Sequence, residues 1–265
     1  MKFCLICFLL IGSVCKGQEW QVELMAGSAE YNGDLTQQRI TFKQLRPALG
    51  LNLKYNTGNF INVRAGIVYT KLVADDHNNK SAGLQRRNLN FKTDIVELNL
   101  IAELNLFDPA IYTSYPYLFA GVGVFYFNPY SFNENNKRTY LRPLSTEGED
   151  LPEYPQRKKY SLIQPCIPLG AGWKMAINEK WDISLEVGYR FLFTDYLDDV
   201  SKTYVDPNIL AYEKGQQAPK MAYRGIASTQ IEGRQRGSPG KNDSYFMGGL
   251  KISTSIDDLF NRSKY

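Results

Sequence analysis

Residues Asp94–Leu106 read DIVELNLIAELNL. Val96, Leu98, Leu100, Ala102, Leu104 and Leu106 share one face, and Glu97, Asn99, Glu103 and Asn105 share the other. A period of two over this length marks an extended strand, because successive side chains point to opposite faces. The strand is long, with an unbroken apolar face and a face that carries full charges.

Two further stretches repeat the pattern. In WDISLEVGYRFLF, Trp181–Phe193, the aromatic and aliphatic residues alternate with Asp182, Ser184, Glu186, Gly188 and Arg190. In RPALGLNLKY, Arg46–Tyr55, Leu49, Leu51, Leu53 and Tyr55 oppose Arg46, Gly50, Asn52 and Lys54. Extending the reading predicts eight strands near 19–31, 46–56, 60–73, 91–107, 116–128, 161–177, 181–194 and 244–256. The 18 Tyr and 14 Phe of the chain suit strands.

The connections alternate strictly in length. NTGN, DPAIYTS and NEK are tight, whereas long loops lie near 32–45, 74–90, 129–160 and 195–243. One end of the structure therefore carries turns and the other carries loops, as in outer-membrane barrels with short periplasmic turns. A soluble β-domain with its polar face outward would share the period. It would not account for the one-sided loops or for strands well beyond the usual five or six residues.

The N-terminus supplies an export route. One Lys, the apolar run Phe3–Val14 and small residues up to Gly17 read as a signal peptide over residues 1–17, giving Sec export and a barrel domain over 18–265. Cys15 as a lipidated residue is disfavoured, because Val14 stands where a small residue is expected. Losing Lys2 and Lys16 lowers the net charge from +4 to +2, too balanced for nucleic-acid binding. Only Cys166 lies beyond the leader, so no disulfide framework is expected. No later segment reaches 18 consecutive apolar residues, so a membrane-spanning form must be a closed barrel.

In such a barrel the apolar face meets lipid, with Tyr55 and Trp181 at one interface and Tyr69 and Phe193 at the other. The charged face lines the lumen: Arg46, Lys54, Arg64, Lys174 and Arg190 against Glu97, Glu103, Asp182 and Glu186. Eight strands enclose room only for side chains, so these charges must pair. The expectation is a filled, ion-paired lumen and not a pore.

The chain resembles a family of Bacteroidota outer-membrane β-barrel proteins, of uncharacterised domain, that includes the PorG subunit of the type IX secretion system. YNGDL, RPALGLNLKYN, DIVELNLIAELN, PYLFAGVGVFYFNP, RPLSTEGEDLPEYP, YSLIQPCIPLGAGWK and RFLFTDYLDDVSKTYVD carry the resemblance, in order, through most of the mature chain. It implies an eight-stranded barrel in the outer membrane. It also implies contact with periplasmic secretion-ring proteins through Asn56–Asn59, Asp108–Tyr115, Asn178–Lys180 and the tail Asp257–Tyr265. One departure is that the last strand stops near Ile256, so either Phe260 extends it or the terminal assembly signal is unusual.

Candidate chemistry is sparse. His77 is the single histidine and sits among acids in ADDHNNK. A lipid-modifying enzyme would have to use it, but a solvated loop residue is the plainer reading. The acids of TDYLDDVSKTYVD lack the spacing of a calcium loop. A cation held irregularly by Asp195, Asp198 and Asp199 is the alternative to acids that mark the boundary where the strand enters water. Arg224, Arg234, Arg236 and Lys241 either pair with those acids or face lipopolysaccharide phosphates. No catalytic residue and no cofactor is expected. The expected role is a non-enzymatic envelope or secretion-assembly barrel; a surface-interaction barrel unrelated to secretion is the alternative beside the enzyme.

Overall fold

A computed structural model describes residues 19–36, 42–225 and 231–260, so the expected signal peptide over 1–17 lies outside the described residues. Eight long strands close on themselves: β1 (Glu19–Asn32), β2 (Arg46–Asn56), β3 (Ile61–Asp75), β4 (Asn90–Asn105), β5 (Ser114–Tyr126), β8 (Ile163–Ala176), β9 (Trp181–Leu192) and β10 (Ser244–Ser255). Each pairs antiparallel with its neighbour in this order, and β10 returns to β1 from Gln21↔Ser255 to Asn32↔Ser244. Closure leaves the long strands without a free sheet edge.

The burial pattern is inside out. Leu24, Leu49, Leu98, Val122, Val187 and Leu250 are exposed on the outer wall, whereas Glu23, Lys54, Arg64, Glu97, Glu103 and Lys251 are buried within. An apolar belt around a charged interior suits a hydrocarbon surround, because a closed barrel pairs its backbone groups between strands. Trp20, Trp173 and Trp181 are exposed near the short turns, and Tyr69, Tyr126 and Phe193 near the loops. Trp20 and Tyr55 pack with ring centroids 5.0 Å apart.

Side-chain caps fix the turns. The Asn178 carboxamide oxygen accepts from the backbone amides of Lys180 and Trp181, both at 2.9 Å. Gly58 stands at φ 72, a left-handed conformation that favours glycine, and its amide donates to Asn56. Inside the barrel, a Cβ at Gly172 would collide with the Tyr117 ring. Glycine there makes room for a large lumen side chain.

The long connections depart from plain loop. Within 129–160, β6 (Tyr130–Phe132) and β7 (Arg138–Tyr140) form a hairpin that extends β4 through Lys92↔Tyr130. Residues 76–87 hold a 3₁₀ turn and helix α1 (Ala82–Arg87). Within 195–243 stand α2 (Pro207–Lys214) and α3 (Gln217–Ala222), which pack through Leu210, Ala218 and Ala222 against Leu151, Tyr154 and Val205. Asp206 is the N-cap of α2, accepting from Asn208 at 2.7 Å, with Pro207 following it. Helices this short carry too few turns to show a periodic apolar face. Phe260 does not extend the last strand: Ile256–Phe260 form helix α4, packed against β1 and β10.

The largest departure concerns RFLFTDYLDDVS. Its acids do not mark emergence into water. After β9 the chain folds back over the barrel, and Leu197 and Val200 pack with Tyr31, Phe91, Ile95, Phe125 and Phe127 of the strands and their ends. The acidic residues are carried into the interior with them.

Candidate functional site

Two interiors carry chemistry, a charged lumen and a loop dome above it. In the lumen, strand alternation sends every second side chain inward. Arg64 on β3 lies 2.8 Å from Glu103 on β4, 2.9 Å from Glu186 on β9 and 3.2 Å from Glu23 on β1. Lys251 on β10 reaches the same three carboxylates at 2.8–3.3 Å. Lys54 stands 3.7 Å from Glu23, and Lys174 stands 3.7 Å from Glu103. Nearer the loops, Arg190 and Glu97 pair at 3.5 Å. Tyr117 donates to Glu186 at 2.9 Å, and Tyr245 donates to Glu97. Arg64 also lies over the Phe119 ring, 5.2 Å from its centroid.

Seven of the nine lumen residues expected from the sequence therefore meet partners there, and two do not. Arg46 bonds the Leu45 carbonyl at an exposed strand end. Asp182 lies at the short-turn mouth and makes no ion pair among the described residues. Glu23 and Lys251, missed in the sequence, are central. Their signal was present, since each is a charge between outward-facing apolar residues: Val22 and Leu24 in one case, Leu250 and Ile252 in the other. Weak alternation along β1 and the glycines of β10 obscured it.

The dome gathers carboxylates from separate loops. Glu147 accepts the amides of Ser201 and Lys202 at 2.9–3.0 Å and pairs with Arg236 at 3.1 Å. Asp199 accepts from Tyr160 at 2.7 Å and from Thr146, with Arg236 at 3.7 Å. Tyr31 contacts Asp198 at 2.6 Å and Asp243 at 2.9 Å. One hydroxyl has one proton, so a protonated carboxyl must supply the second bond. Burial pushes both acids upward, against the hydrogen bond from Tyr31.

Burial also raises Asp199 to about 6, Asp195 to about 7 and Glu149 to about 8. Neither Asp195 oxygen has a well-formed hydrogen bond, Ser201 offering at most a weak one. Asp195, Asp198 and Asp199 do not converge. Among the described residues no group of three His, Cys, Asp or Glu is placed to hold a metal ion.

The remaining candidates separate. His77 is exposed, and its backbone amide donates to Asp75. Arg224 bonds Ser131 and the Phe132 carbonyl, while Arg236 joins Glu147 of the 129–160 loop and Asp199 of its own. Arg234 and Lys241 are exposed. Cys166 packs in the apolar upper lumen.

The chain matches, over residues 1–230, the family model described as a domain of unknown function, DUF6089. No curated protein matches it. Similar solved structures include Neisserial surface protein A, at 9% identity and TM-score 0.45, covering 91% of this chain and 100% of that one. Another is Ail of Yersinia pestis, in complex with the heparin analogue sucrose octasulfate, at 8% identity and TM-score 0.43, covering 91% and 99%. The N-terminal barrel domain of Pseudomonas aeruginosa OprF aligns at 12% identity and TM-score 0.38, covering 91% and 100%. The closed strand pairing, and not these likenesses, defines the fold. With the family model spanning most of its length, the chain belongs to the DUF6089 family.

Proposed function

We propose that this chain is a non-enzymatic, non-conducting outer-membrane barrel of the PorG-like type, serving as an assembly or structural component of the envelope or of a type IX secretion system. The observation that carries the reading is the packed lumen. Arg64 and Lys251 knit Glu23, Glu103 and Glu186 across five strands, and all five side chains are buried. A barrel so filled serves as an anchor, holding its dome on one side and its turns on the other. The short turns face the periplasm in this reading, where secretion-ring proteins would meet them. Membrane lipid surrounds the belt, and lipopolysaccharide meets the exposed Arg234 and Lys241.

The test is a crosslinked pull-down from detergent-solubilised outer membranes, paired with planar-bilayer recording. Retained ring proteins and no unitary conductance are expected. Steady ion conduction overturns the anchor reading; normal secretion in a deletion strain removes the secretion role and leaves the envelope role. Heat-modifiable gel mobility and partition with the outer membrane check the address. The lipid-modifying alternative requires His77, which is exposed and makes no ion pair among the described residues. An unchanged lipid mass spectrum in the deletion strain eliminates it.

A further inference from the structure

The short-turn mouth holds a cavity of about 270 Å³, separate from the lumen network and the dome. Turn residues, strand ends and α4 enclose it. Its lining carries four carboxylates, Glu19, Glu179, Asp182 and Asp258, against one ammonium, Lys180. Lys180 pairs with Asp258 at 3.7 Å, and neither Glu179 nor Asp182 makes an ion pair among the described residues. Gln21 is 95% buried, being 5% exposed, and lines the same cavity. Its amide donates to Glu19 at 2.6 Å, and its carbonyl oxygen Oε1 has no partner. A buried acceptor without a donor is costly, and a ligand that supplies the donor recovers that cost. Tyr112 and Tyr115 also line it, the first ring tilted against Phe107 at 5.3 Å and the second with the Lys174 ammonium 5.7 Å from its centroid.

We propose that this mouth is a receptor for an arginine side chain of a periplasmic partner protein. The inference rests on the reading that this end faces the periplasm. Dispersed carboxylates, a single buried amide acceptor and tyrosine rings are guanidinium chemistry. The planar fork donates in several directions and stacks on aromatic faces, which a compact ammonium does less well. A metal ion is a poorer occupant, because no three of these acids are placed to hold one. The volume is below that of cofactor pockets and suits one side chain. Insertion stops at Gln21, since Lys54 pairs with it across the β1–β2 ladder and begins the cationic layer beyond.

The test uses the mature chain in lipid nanodiscs, with Tyr rings isotopically labelled, titrated with acetyl-Gly-Gly-Arg-Gly-Gly-amide. The citrulline peptide, isosteric but uncharged, is the reference. Shifts at Tyr112 and Tyr115 are expected, with the arginine peptide binding at least tenfold more tightly than citrulline. Glu179→Gln with Asp182→Asn should remove that preference, and Gln21→Leu should weaken binding severalfold. If the variants fail to fold, loss of the preference in the parent protein at high salt replaces them, because screening weakens exposed pairs. Equal binding of the two peptides overturns the proposal. So does binding seen only in a chain ending at Phe260, which would assign the seat to Arg262 or Lys264 of the protein's own tail. A failed titration alongside retained ring proteins rejects this site alone; a successful one without them leaves it standing.

Discussion

The lumen and the dome both bury carboxylates, and they do so with opposite charge balance. In the lumen Glu23, Glu103 and Glu186 face Arg64 and Lys251, with Lys54 and Lys174 behind. In the dome Glu147, Glu149, Asp195, Asp198, Asp199 and Asp243 are all buried, and Arg236 pairs with two of them, Glu147 and Asp199. The lumen balances its acids with cations fixed by strand register. The dome balances several of its acids with protons and hydroxyl donors, which makes it the part sensitive to pH.

The comparison breaks first at Arg64. Arg64→Met leaves Glu103, Glu186 and Glu23 short of a cation and should lower stability by about 3–5 kcal/mol, the usual cost of orphaning a buried ion. Loss of the heat-modifiable form at lower urea reads it. Adding Glu103→Gln should recover part of the loss; an unaltered midpoint in Arg64→Met would show the network to be energetically idle. Arg236→Met acts only on the dome. An expected cost of about 3 kcal/mol appears as roughly hundredfold faster amide exchange in Asp198–Lys202, with β3 and β4 unchanged. Matching acceleration in those strands would mean that dome and barrel open as one unit.

Tyr31→Phe removes the donor between Asp198 and Asp243 and should loosen the same segment by about 1–3 kcal/mol. The dome also responds to pH. Asp199, Asp195 and Glu149 have folded values of about 6, 7 and 8, above ordinary carboxylates, so the folded dome binds more protons than the unfolded one. Its stabilisation is full below about pH 4 and is lost as pH rises through those folded values. Dome protection should therefore fall by at least about a hundredfold between pH 5 and pH 8, each unit of displaced titration being tenfold, while the lumen strands hold. Greater protection at pH 8 would reverse the assigned sign.

Much of the barrel was legible because its rule is local. DIVELNLIAELNL declares two faces within thirteen residues, and seven of the nine charges read from such faces meet partners inside. Glu23 and Lys251 escaped because small residues (Ala26, Gly27, Gly248 and Gly249) blur the alternation of their strands. The dome was not legible. Asp195–Asp199 resemble a solvated loop, and nothing within the segment says that Leu197 and Val200 will pack on Tyr31 and Phe91.

The sequence by itself determined strand period, strand count, the one-sided loops and which face carries charge, since a two-residue repeat is a property of the chain alone. Tertiary structure decided which charge meets which, that the dome acids are buried with few cations among them, and that the mouth holds an unmatched acceptor. Those outcomes depend on residues far apart in the chain, such as Tyr31 and Asp243 or Glu147 and Arg236, whose meeting is fixed only when the barrel closes.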